Sequence, residues 1–157
     1  MKLLSQILIL LILLGIIPGS ALTGYTQSSS SSLSNETKSE GSIEKVNELI
    51  NLSRVLRYSN RDSSLLCCDL AIALSESLDY QKGIAEAYYK KCLAMSVYGD
   101  LKLAYDYVLK TLEIANDLQD SMLLAKAYYK IGGLRTIQGY HTMAINNFRQ
   151  ALRIYES

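Results

Sequence analysis

Shifting the chain by 40 residues lays GIAEAYYKKCLAMSVYGDLKLAYDYVLKTLEIA over LLAKAYYKIGGLRTIQGYHTMAINNFRQALRIY. Ala85, Ala87, Tyr88, Tyr89, Lys90, Gly99, Ala104, Leu112 and Ile114 then meet identical residues at Ala125, Ala127, Tyr128, Tyr129, Lys130, Gly139, Ala144, Leu152 and Ile154. Roughly two such coincidences would arise by chance in a window of this length. A chain written on a fixed period folds as stacked copies of one small unit, because each copy buries its apolar face only against its neighbours.

Each unit reads as a helical hairpin. Leu124, Tyr128, Ile131 and Leu134 form one stripe at three-and-four spacing, and Ala144, Phe148, Ala151, Leu152 and Tyr155 form another. Gly99 and Gly139 fall where the first helix of a unit has to stop, and Asp100 stands where it caps the next helix. The same shift applied backwards reaches a degenerate first copy, SIEKVNELINLSRVLRYSNRDSSLLCCDLAIALSES, in which Tyr58 matches Tyr98. The expected fold is all-α: three stacked antiparallel hairpins, six helices, with units at 43–78, 79–118 and 119–157.

Two segments precede the repeats. Residues 1–21 combine an early Lys2, an apolar run from Ile7 to Ile17, a Pro-Gly breaker, and Gly19 and Ala21 at the small-residue positions of a cleavage site. This pattern predicts a signal peptide, hence export to a periplasmic or extracellular space. An uncleaved helical anchor is the alternative, since the run is only a little shorter than a membrane span. Residues 22–42, rich in Ser, Gly, Thr and Asn, predict a disordered spacer.

Charge excludes some partners. Lys and Arg number 16 against 15 Asp and Glu, and loss of Lys2 with the signal would leave fifteen of each, so no global field attracts nucleic acid. His141 is the only histidine. Neither a zinc pair nor a histidine relay is available, and no phosphate loop or nucleophile elbow is present. Cys67, Cys68 and Cys92 match no metal spacing and read first as small buried side chains. The reading is of a non-enzymatic protein with no cofactor.

The third unit resembles the tetratricopeptide repeat: Tyr128 takes the aromatic place, Ile131-Gly132 the Leu-Gly place, Gly139 the turn, and Ala144, Phe148 and Ala151-Leu152 the second-helix places. The second unit keeps Tyr88, Gly99, Ala104, Val108 and Leu112 but puts Lys91-Cys92 at the Leu-Gly place and Thr111 where Ala is usual. A 40-residue period is similar to the long-helix variety found in bacterial sensor and regulator proteins. Stacking in that family places Cys68 near Cys92, which suggests a disulfide between them.

The resemblance also implies a function: holding a protein or peptide on a concave wall of first helices. It assigns Glu86, Tyr89, Leu93, Ser96 and Val97 to that wall in the second unit, and Lys126, Tyr129, Gly133, Thr136 and Ile137 in the third. Tyr89, Leu93, Val97, Tyr129 and Ile137 are the expected partner-binding residues. They suit an apolar stretch or helix better than a terminal carboxylate. Phe148, Leu152 and Tyr155 leave the last hairpin apolar, which implies pairing with a second copy or docking on a partner. The other expectation is that the chain is the sensory portion of a truncated bacterial signalling protein, of histidine-kinase or regulator type.

Overall fold

Five successive helices in this protein start twenty residues apart. In the computed structural model, which describes residues 31–156 with side chains from Ser42 onward, α1 is Ser31–Leu56, α2 Arg61–Ser77, α3 Gln81–Val97, α4 Leu101–Asp117, α5 Ser121–Ile137 and α6 His141–Tyr155. α2 to α5 each run 17 residues and are separated by three-residue turns. The expected signal segment and residues 22–30 of the spacer lie outside the described residues.

The turns share one geometry. Asp79, Gly99, Gln119 and Gly139 all have positive φ, between 52° and 82°. In each turn the next N–H reaches back five residues: Tyr80 to Ser75 O, Asp100 to Met95 O, Asp120 to Ala115 O and Tyr140 to Arg135 O, at 2.8–3.0 Å. This is the Schellman arrangement, which satisfies carbonyls that the end of a helix would otherwise leave bare. Gly is expected at such a position, yet two of the four are Asp79 and Gln119. The turns between units therefore carry no glycine signal, unlike the turns within units at Gly99 and Gly139.

Caps then start the next helix. Asp100 accepts from Leu103 N at 3.1 Å, Asp120 from Leu123 N at 3.0 Å and Asn60 from Ser63 N at 3.0 Å. The α1–α2 turn is one residue longer than the others, and Asn60 does there what Asp100 does in the second unit.

α1 starts at Ser31, upstream of the boundary expected at residue 43 and inside the predicted spacer. The stretch from Ser31 to Gly41 contains no Pro. Once Val46 and Ile50 nucleate the helix by packing, extending it upstream adds a hydrogen bond per residue at little cost.

The helices are antiparallel hairpins that pack pairwise within one unit, Ser32–Ser157, so the all-α solenoid expectation holds. Val46, Ile50, Ala71, Ile72, Ile84 and Ala87 join α1, α2 and α3. Cys92, Met95, Ala104, Val108, Ala127, Ile131 and Leu134 join α3, α4 and α5. The alanines let axes approach closely, while full burial of a side chain such as Leu134 contributes about 1.5–3 kcal/mol. Leu152 and Tyr155, read from spacing as part of the α6 stripe, are exposed; Ala144 and Ala151 are the buried residues of that helix.

Candidate functional site

α3 touches α5 directly, so the first helices of successive units line up as one wall. The structure splits the predicted wall residues into two groups. Tyr89 and Leu93 are half-buried, whereas Val97, Tyr129 and Ile137 are exposed at 44%, 61% and 63%. Tyr129 packs against Phe148 of α6 in a tilted ring contact, centroids 5.4 Å apart with 53° between the planes. Ser96 and Thr136 occupy equivalent places and spend their hydroxyls on their own helices, donating to Cys92 O at 2.8 Å and Gly132 O at 3.0 Å.

Tyr89 is the meeting point of the wall. Burial pushes its phenol up to about 12, with Cys92, Tyr155 and Tyr129 adding to the rise and Arg57 opposing it. Arg57 just after α1, Cys92 of α3, Tyr129 of α5 and Tyr155 at the end of α6 thus all lie within electrostatic reach of Tyr89.

A set of cations on this wall escaped the sequence reading. Burial pulls the Lys90 ammonium below its ordinary range; Glu86 opposes this, and Lys126, Arg57 and Arg54 add like-charge repulsion. Lys90, Lys126 and Arg57 are half-buried, and Arg54 is exposed. Among the described residues the two ion pairs are Lys82–Asp120 at 2.9 Å and Lys91–Asp69 at 2.6 Å, so none of the four is paired with a carboxylate. Arg57 Nε is buried without an acceptor, although Nη2 donates to Tyr58 Oη at 3.0 Å. The one available signal was that Lys90 repeats as Lys130 under the 40-residue shift; the approach of Arg54 and Arg57 depends on how α1 stacks.

Away from this wall, α4, α5 and α6 enclose an open groove of about 340 Å³ lined by Tyr105, Leu109, Tyr128, Arg135 and Met143 among others. Arg135 Nη2 donates to Tyr105 Oη at 2.6 Å and its guanidinium lies over the Tyr105 and Tyr140 rings.

The cysteines correct one expectation. Cys67, Cys68 and Cys92 are all buried free thiols, so the Cys68–Cys92 disulfide is not formed. The Ser53 hydroxyl of α1 acts on Cys68, while Cys92 sits in the cluster built with α4 and α5, so the two side chains serve different interfaces. Burial raises both thiols to about 11 and raises Cys67 as well, which leaves them protonated and poorly nucleophilic at neutral pH. Among the described residues no group of three or more His, Cys, Asp or Glu side chains is placed to hold a metal ion, and no helix is long and apolar enough to cross a membrane. His141 opens α6 at the surface.

Compared with protein-family models, curated proteins and solved structures, the chain matches none.

Proposed function

We propose that this chain is a non-enzymatic, exported interaction module of the tetratricopeptide type, which holds an extended or helical segment of another protein on the wall formed by α1, α3 and α5. One observation carries the reading: apolar side chains at repeat-equivalent positions of touching helices, Val97 on α3 and Ile137 on α5, stand exposed, as does Tyr129 on α5. Apolar surface repeated on one wall is the pattern that receives a partner segment, and tyrosine supplies large contact area at low entropic cost.

The test is capture of proteins from the native compartment on immobilised chain, alongside a Tyr129→Ala, Ile137→Ser double variant. Both side chains are exposed, so helical circular dichroism and the unfolding midpoint are expected to stay unchanged while specific prey is lost. Equal retention of the same prey by the variant would remove the wall from the binding site.

A further inference from the structure

The 40-residue repeat places the same groove at two successive junctions. α4 and α6 each pack on α5 and not on each other, and the cleft between them is the groove of about 340 Å³. At the preceding junction the equivalent places are filled from within: Asp69 of α2 takes the Lys91 ammonium at 2.6 Å, and Lys91 Nζ lies 4.7 Å from the centre of the Tyr107 ring. Forty residues on, those three positions hold Leu109, Ile131 and Asn147, and all three line the groove. An apolar floor thus stands where the preceding junction has its ion pair. The cation of the groove sits elsewhere. Arg135 is the repeat equivalent of Met95, which is 1% exposed and carries no charge.

Arg135 is held in place but not neutralised. Its Nη2 donates to Tyr105 Oη at 2.6 Å, and its guanidinium carbon lies 4.7 Å from the Tyr105 ring centre and 5.5 Å from that of Tyr140. Among the described residues both ion pairs belong to other cations, and no acidic side chain lines the groove. A planar guanidinium fixed by two rings is preorganised to meet a carboxylate with its remaining donors. We propose that this groove, independently of the wall of α1, α3 and α5, binds a small organic acid with an apolar body. The carboxylate pairs with Arg135, supplying the counter-charge that Asp69 supplies at the preceding junction. The apolar body lies along Leu109, Ile131 and Met143. A volume of about 340 Å³ is at the lower end of the roughly 300–1,000 Å³ of small-molecule sites, which suits a compact ligand.

The test is a titration of the isotope-labelled full chain with octanoate, 1-octanol, octylammonium and acetate, followed by amide NMR shifts. Octanoate is expected to move signals from α4, α5 and α6 saturably. It should bind about tenfold more tightly than each of the other three, which lack the charge, its sign or the apolar body. Arg135→Met, which places there the residue of the preceding unit, should reduce octanoate to the affinity of octanol. Arg54→Gln, an exposed cation lost from α1, should leave the preference intact. Leu109→Asp, at an exposed position, gives the groove a carboxylate of its own and should weaken octanoate about tenfold. Equal binding of octanoate and octanol, or an undiminished preference in either Arg135→Met or Leu109→Asp with helical circular dichroism retained, would overturn the assignment. Shifts confined to α1 and α3 would overturn the site. Tighter binding of acetyl-Leu-Leu, which bears the same two groups at a chain end, would overturn the choice of a free acid.

Discussion

Lys91 Nζ lies 2.6 Å from Asp69 Oδ1, tying α3 to α2 across the junction of the first two units. Lys91 stands at a place where the repeat pattern wants an apolar residue, and it is 9% exposed. Its stem is buried, its ammonium sits 4.7 Å above the Tyr107 ring, and Asp69 holds the charge at the surface end. Burial alone would lower its pKa, but the Asp69 hydrogen bond and charge, with Tyr107, outweigh that and leave it raised.

Removing the exposed counter-charge should therefore hurt more than removing the buried charge it holds. Asp69→Ala is expected to cost about 1 kcal/mol, below the cost for a fully buried pair because Asp69 is largely solvated and screened. Lys91→Met, which keeps the apolar stem, should be near neutral. Urea denaturation of the two variants checks the order; a costlier Lys91→Met would show that the charge itself stabilises the junction.

The turns predict opposite signs for two exchanges. Gln119 holds φ at 53° with a side chain, so Gln119→Gly should stabilise by about 1 kcal/mol, whereas Gly139→Ala, at φ 82°, should destabilise by a similar amount. Thermal unfolding midpoints moving in opposite directions would bear this out.

Gly132 is needed for space. A Cβ there would come 2.7 Å from the Phe148 ring, which also supports Tyr129, so Gly132→Ala should cost about 1–3 kcal/mol by overpacking. The neighbouring Gly133 has nothing within 4 Å of such a Cβ, so Gly133→Ala should stabilise the helix interior by about 0.5–1 kcal/mol. Chemical denaturation of the pair separates packing from helix propensity.

Alkaline pH should unfold the protein through its thiols. Cys68 and Cys92 are raised from 9.0 to about 11, so the folded state holds those protons more tightly than the unfolded state. Their contribution is complete below pH 9 and is lost as pH climbs from 9 towards 11; Tyr89, raised to about 12, extends the loss upward. Midpoints of unfolding followed from pH 7 to 11 should fall only in the upper part of that range. Because the thiols are free, a reductant at pH 7 should leave the midpoint unchanged.

Much of the architecture could be read from residue order, because periodicity is a local property. Gly99, Gly139 and Asp100 announce a turn and a cap through their own backbone and side-chain preferences, and the 40-residue shift identifies the hairpins without any knowledge of packing. The half-period of twenty was hidden because Asp79 and Gln119 adopt the same left-handed turn without the glycine that advertises it. The start of α1 at Ser31 was hidden for a related reason: composition reports what a segment can bury, while a helix extends upstream by propagation from residues that are already packed.

The order of residues by itself determined the helices, their antiparallel pairing and the face that each alanine stripe buries, since all of these follow from spacing within about forty positions. Tertiary structure alone decided which members of the wall stay open and which cations gather there. Tyr89 and Tyr129 are equivalents in the repeat, yet one is half-buried beneath its neighbours and the other is exposed against Phe148. Lys90 acquires Arg54, Arg57 and Lys126 as neighbours only when three helices stack. Exposure and electrostatic reach depend on what lies across the interface, and no spacing along one chain encodes that.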